Sequence, residues 1–256
     1  MGSLLAALTT TLVFCAPGYP GTAGDAQPLV DAFAQAAASA AQWPGGSLTA
    51  VYDPTESGGL ARLQSADAAV AFVPYPFFVE HGASLHLRPL LQAEVTGIGT
   101  QQRWTLVAQR GHASAPQALA GYVIASTAGY APAFVRGVAL ASWPLPADTR
   151  ISFAGQTLST LRKVAGGEMM AVLLDQEQTT ALSTLPFANQ LETLVQSSPV
   201  PVALIAVIDP RLAPAQVDSL TKGLLKLAGT PQGLAALAPL RLNGFVAPRL
   251  PRASSP

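Results

Sequence analysis

The chain has 256 residues, half of them hydrophobic and 11% charged, enough to bury a large core in one domain or two modest ones. Lys plus Arg and Asp plus Glu each total 14 and no basic stripe runs along the sequence, which argues against a nucleic-acid partner. Cys15 is the lone cysteine, so no internal disulfide can form, and His81, His86 and His112 do not fall at zinc-ligand spacing; no metal and no cofactor is expected.

The N-terminal stretch Leu4–Ala16 is apolar but shorter than the ~20 residues of a membrane span, and no Lys or Arg precedes it, so it makes a poor export signal. Met1-Gly2-Ser3 fits an added start or a remnant left where a signal was removed, and both readings stay open. Thr11 to Cys15 reads as a buried first strand. A turn-rich loop, Pro17-Gly18-Tyr19-Pro20-Gly21, leads to a helix capped by Asp25, with Pro28 in its first turn and Leu29, Phe33, Ala36 and Ala40 on one face. Leu48 to Tyr52 is the second strand, and Thr55 to Gly59 opens a helix through Leu60 and Leu63. Ala68 to Val73 is the third strand, followed by a short aromatic helix around Phe77 and Phe78. His81 and His86 belong to a surface turn before and within a further strand, Leu85 to Leu91.

Glu94 to Ala108 is extended without a helix, as a crossing between two lobes requires. Strand and helix signals then resume: Tyr122 to Ala125, a helix from Pro132 to Leu140, Ile151 to Phe153, a helix from Gln156 to Ala165, the apolar strand Met169 to Leu174, and a helix beginning at Asp175. Met169 and Met170 read as core. A second helix-free stretch, Leu191 to Asp209, makes the return crossing. Two helices broken at Gly229-Thr230-Pro231 follow within 213–237, and residues 248–256 read as a loose tail.

The most informative segment is Ala125 to Arg136. A strand runs into a turn bearing Ser126, Thr127 and Gly129, and a helix opens with Pro132, where a missing N–H costs nothing. Such a turn is expected to aim backbone N–H groups and two hydroxyls outward, toward an anion or polar oxygen.

Several segments taken in order resemble the phosphonate- and phosphate-type solute-binding proteins of ABC importers. They are Phe14 to Gly21, Val70 to Tyr75, Arg103 to Ala108, Leu119 to Gly121 with Ser126 to Tyr130, and Ala171 to Asp175. The resemblance implies a type II periplasmic-binding-protein fold: two α/β lobes joined by two crossing strands, with a ligand cleft that closes by hinging. Residues 1–98 and 203–256 would form one lobe and 99–202 the other. It also implies an extracytoplasmic monomer that delivers a small oxyanion to an ABC permease, or presents it to a membrane sensor.

In open α/β sheets the ligand lies beyond the carboxyl ends of the strands. The residues there make the candidate site. Ser57 and Gly58 from the first lobe, and Ser126, Thr127, Ala128 and Gly129 from the second, offer hydroxyl and N–H donors at helix starts. Tyr19, Tyr75 and Tyr130 wall the cleft. Glu56 and Glu177 either cap helices or pair an amino group on the ligand. Each has a plainer reading: Ser126 capping its own helix, Tyr130 packing on its own lobe, and Asp175 tying down a backbone turn. Trp104 reads as packing at the lobe junction and Arg103 as solvated. With no Gly-x-Ser-x-Gly elbow, phosphate-binding P-loop or His-x-x-x-His pair, no catalytic residue is assigned. The alternatives are an enzyme on the same fold, resembling the menaquinone- or pyrimidine-precursor synthases, or a ligand-sensing domain of a regulator.

Overall fold

The computed structural model describes residues 9–19 and 21–251. The readings for Met1-Gly2-Ser3, for Pro20 and for the last residues of the 248–256 tail lie outside them.

The first elements are β1 (Thr10–Cys15), α1 (Ala23–Ala40), β2 (Leu48–Asp53), α2 (Glu56–Gln64), β3 (Ala68–Pro74), α3 (Tyr75–His81) and β4 (Leu87–Val95). The first crossing contains β5 (Gln101–Gln102) and enters β6 (Thr105–Gln109). Then come β7 (Val123–Ser126), α4 (Pro132–Phe134) continued as a π-helical segment (Val135–Ala139), β8 (Arg150–Phe153), α5 (Thr157–Ala165), β9 (Met170–Leu174), α6 (Gln176–Leu182) and β10 (Leu191–Gln196). The return crossing contains β11 (Val200–Pro201) and enters β12 (Ala203–Ile208), followed by α7 (Pro214–Lys226), α8 (Pro231–Leu237) and β13 (Leu242–Val246).

These strands form two main sheets. One runs β13-β4-β12-β3-β1-β2 and the other β10-β6-β9-β7-β8. The two have the same plan. In each, three neighbouring strands are parallel (β2-β1-β3 and β8-β7-β9), as successive βαβ units demand. In each, the next strand is antiparallel and has just arrived from the other sheet: β12 in the first, β6 in the second. The crossings pair with each other, Val200 opposite Gln102 and Pro201 opposite Gln101. They are also cross-tied. Trp104 N–H donates to Ser197 Oγ at 2.9 Å, and Ser197 N–H donates to the Trp104 carbonyl at 2.8 Å. The mixed α/β architecture and two-lobed fold follow the sequence reading.

Both faces of the central strands are buried, which is why they read as unbroken apolar runs. Along β1, Leu12 and Phe14 enter the core beneath α1, α7 and α8, while Val13 and Cys15 enter the opposite one with Leu63 and Phe77. Phe14, Phe33, Phe72 and Phe245 pack edge to face in the first core, with ring centroids 5.0 to 6.2 Å apart. Along β9, Ala171 and Leu173 face one layer and Val172 and Leu174 the other.

Several details differ from the sequence reading. Thr22, not Asp25, caps α1: its hydroxyl oxygen accepts from Asp25 N–H at 3.2 Å, and Pro28 therefore lies inside the helix rather than in its first turn. His81 ends α3 instead of occupying a surface turn, and its Nε2 lies 2.8 Å from Glu56 Oε1. Met169 stands outside β9 and is 60% exposed, because the strand begins one residue later. The strand β13 has no counterpart in the sequence reading. Asn243-Gly244 carries a turn signal, but here Gly244 sits at φ +157° where the pairing with β4 shifts register.

Among the described residues no helix is long and apolar enough to cross a membrane, and no three His, Cys, Asp or Glu side chains gather as they would around a metal.

Candidate functional site

The loops at the carboxyl ends of the parallel strands of the two sheets face each other. They enclose a cavity of about 130 Å³. Pro17, Gly18 and Tyr19 reach it from the end of β1, and Pro74 and Pro76 from the end of β3. Thr127, Ala128 and Tyr130 come from beyond β7, and Asp175, Glu177 and Gln178 from beyond β9. Trp104 closes it from the first crossing.

The walls already touch. Gly18 turns the chain at φ +84°, and a Cβ built there would lie 2.8 Å from the Thr127 carbonyl oxygen. Arg241, between α8 and β13, donates through Nη2 to Glu177 Oε1 at 2.6 Å. Beside the cavity, α3 packs on α4: Tyr75 meets Phe134 edge to face at 6.2 Å, and Glu80 Oε2 accepts the Ala133 N–H at 2.8 Å.

Asp175 is the N-cap of α6 in a capping box. Its Oδ1 accepts Gln178 N–H at 2.8 Å, and its own N–H donates to Gln178 Oε1 at 3.1 Å. Burial raises its carboxyl above the usual range and the neighbouring Glu177 adds to this, while the backbone N–H donors of Gln178 and Glu177 act in the opposite direction. The Tyr19 phenol is pushed up by partial removal from water and by the carboxylates of Asp175 and Glu177, although the residue keeps 46% of its surface exposed. Tyr130 moves the same way, mainly through burial. Both phenols are therefore neutral O–H donors at ordinary pH. Trp104 is 4% exposed, and its indole N–H is buried without a hydrogen-bond partner among the described residues.

A second cavity of about 270 Å³ adjoins the first, sharing Tyr19, Pro74 and Glu177 with it. It lies on the six-stranded sheet, walled by Phe14, Cys15, Phe72 and Val73 at the ends of β1 and β3, by Ala26 and Val30 of α1, and by Val95, Ile98, Val202 and Ala203 where the crossings begin and end.

Of the residues picked out from sequence, Tyr19, Thr127, Ala128, Tyr130 and Glu177 line the cleft cavity. Ser126, one residue before Thr127, is 1% exposed. Its hydroxyl donates to the Leu173 carbonyl at 2.8 Å and accepts from Ala128 N–H at 3.1 Å, so it faces into its own lobe and not outward. Gly129 donates its N–H to the Ser126 carbonyl, and a Cβ there would lie 2.1 Å from the Ser152 carbonyl oxygen, so it serves close packing. Tyr75 is buried against Phe78 and Phe134. Neither cavity is lined by Glu56, Ser57 or Gly58. Glu56 pairs with His81, Ser57 is exposed on α2, and the Gly58 N–H is taken by the Thr55 hydroxyl that caps the helix. The sequence reading set Trp104 and Asp175 aside as structural and missed Arg241 entirely. Arg241 carries no local signal, because its partner lies 64 residues away.

Residues 69–250 match the family model described as ABC transporter, phosphonate, periplasmic substrate-binding protein. No curated protein matches the chain by sequence. Among solved structures, a Xanthomonas citri protein bound to chloride superposes with a TM-score of 0.68 at 18% identity, covering 96% of this chain and 93% of that one. The binding-protein component of an ABC phosphonate transporter from Pseudomonas aeruginosa gives 0.61 at 14% identity over 94% and 82%. PhnD1 from Prochlorococcus marinus, in complex with methylphosphonate, gives 0.56 at 12% identity over 94% and 93%. These likenesses carry the fold. The family match spans most of the chain, and the protein therefore belongs to the phosphonate-type periplasmic substrate-binding proteins of ABC transporters.

Proposed function

We propose that the protein captures a phosphonate-type oxyanion that also bears an amino group, and hands it as a monomer, outside the inner membrane, to an ABC permease. Residues 1–98 and 203–256 act as one jaw and 99–202 as the other, hinged at the β5–β11 pair. The observation that carries this reading is the mixed chemistry of the cleft wall. Residues with neutral donors (Thr127, Tyr19, Tyr130 and Trp104) line the same small space as Asp175 and Glu177. A bare phosphate would meet the Asp175 and Glu177 carboxylates with no Lys or Arg among the residues lining that cavity, and the nearby Arg241 is already bonded to Glu177 from outside it. An ammonium on the ligand turns those carboxylates from repulsive into attractive partners, and charge-assisted hydrogen bonds are the stronger kind. The chain binds and releases its ligand without transforming it.

Calorimetry with 2-aminoethylphosphonate, methylphosphonate and inorganic phosphate tests this. The amino-bearing ligand is expected to bind at least about tenfold more tightly, since a hydrogen bond to a charged group contributes about 1.5–3 kcal/mol. Asp175→Asn with Glu177→Gln is expected to abolish that preference. Equal binding of phosphate and 2-aminoethylphosphonate, or a preference that survives both substitutions, refutes it.

A further inference from the structure

We propose that the 270 Å³ cavity on the six-stranded sheet is a subsite for an apolar arm, aryl or branched alkyl, of the captured solute. This rests on the cleft being the capture site, and it narrows the ligand to an organophosphonate with a hydrophobic substituent.

Three observations lead there. First, the cavity is large. It is a half-open pocket whose volume accommodates a phenyl ring with room to spare. Second, its wall is chemically one-sided. Phe14, Val30, Phe72, Val95, Ile98 and Leu242 supply apolar surface, and long polar side chains are few: Tyr19, Tyr52, Glu177 and Arg241. Tyr19 and Glu177 belong to both cavities, Arg241 is bonded to Glu177, and the Tyr52 hydroxyl is 4.0 Å from where a Cβ on Gly21 would stand. A hydrated polar group placed deep inside would lose its water without gaining partners, whereas an apolar group loses nothing. Third, the cavity opens onto the polar cleft through Tyr19, Pro74 and Glu177. A ligand whose head lies against Thr127 and Asp175 has its substituent directed along a continuous path into the apolar chamber.

The chamber's position adds a functional consequence. Val95, Ile98, Val202 and Ala203 border the crossings, so an arm seated there touches the hinge as well as the first lobe.

A matched pair of ligands tests the proposal on the unaltered protein: 1-aminoethylphosphonate and 1-amino-2-phenylethylphosphonate, which share a head and differ by one phenyl group. The phenyl homologue is expected to bind about tenfold more tightly or better, from the burial of its added carbons. Ala26→Trp, which fills the chamber from α1, is expected to shrink that ratio toward one. A ratio near one in the unaltered protein, or an unchanged ratio in the Ala26→Trp variant, overturns the subsite while leaving capture of the polar head intact. If neither phosphonate binds, the capture reading fails instead. The chamber is then read by N-phenyl-1-naphthylamine: bright, blue-shifted emission lost in Ala26→Trp retains it as an apolar ligand site, and no emission change overturns it as well.

Discussion

Arg241 and Glu177 bind one jaw to the other. The Arg241 guanidinium, held just before β13, donates to the Glu177 carboxylate in the first turn of α6 at 2.6 Å. Glu177 is favoured there by the helix dipole, and Arg241 reaches it from a backbone at φ +55°. Both side chains are about half exposed or more, so the pair contributes little to folding, about 0–1 kcal/mol. Its larger expected consequence is conformational, because it ties the two sheets together across the cleft.

Arg241→Ala is therefore expected to lower the melting temperature by no more than about 2–4 °C. It should also enlarge the ligand-free molecule in small-angle X-ray scattering. Raising salt toward ~1 M, where the screening length falls to about 3 Å, should reproduce the expansion in the unaltered protein. An unchanged radius of gyration in both experiments removes the latch.

Gly18 lies close against the opposite wall. A methyl group there meets the Thr127 carbonyl oxygen at 2.8 Å and a backbone at φ +84° that favours glycine. Gly18→Ala is expected to cost about 1 kcal/mol of stability from the backbone alone. It should hold the jaws apart, weakening ligand binding at least about tenfold. Binding at the original affinity in a folded Gly18→Ala protein contradicts the closure geometry.

Ser126 and Thr127 are adjacent but have opposite tasks. Ser126→Ala removes a buried hydroxyl that satisfies two backbone groups, and is expected to destabilise the fold by about 1–3 kcal/mol in urea titrations. Thr127→Ala should leave stability nearly unchanged and weaken binding. The reverse pattern contradicts the placement of these side chains.

Asp175 sets a pH dependence. Its carboxyl is raised in the folded state, so the folded protein holds this proton more tightly than the unfolded chain does. Its contribution is fully present below the unfolded carboxylate range and declines as pH rises from about 4 through the raised folded value. Asp175→Asn keeps an N-capping side chain and loses the titration. The variant is expected to gain stability relative to the unaltered protein as pH rises through that window, measured by urea unfolding. A difference that stays flat or falls with pH disproves the buried-acid account.

The alternation of strands and helices was legible in the sequence because each element is specified by its neighbours. Leu12, Val13 and Phe14 form a continuous apolar run, and both faces of their strand are indeed covered. The two helix-free stretches read as crossings because residues on either side carry helix signals and they do not. The misses have the same origin. Asn243-Gly244 is a turn by local chemistry, and only pairing with β4 makes it part of a strand. Thr22 and Asp25 are both good caps, and the choice between them depends on where the chain leaves β1.

The sequence by itself determined the α/β class, the two crossings and the family, since periodicity, turn residues and ordered motifs act over short range. The tertiary structure alone decided which of those residues line the cleft. A strand's alternation turned Ser126 inward and left Thr127 at the cleft. Contacts spanning 25 and 64 residues engaged Glu56 with His81 and Glu177 with Arg241. The first pairing depends on how α2 and α3 pack on one sheet and the second on how the two sheets meet at their carboxyl ends, and no local pattern encodes a neighbour that arrives from a distant element.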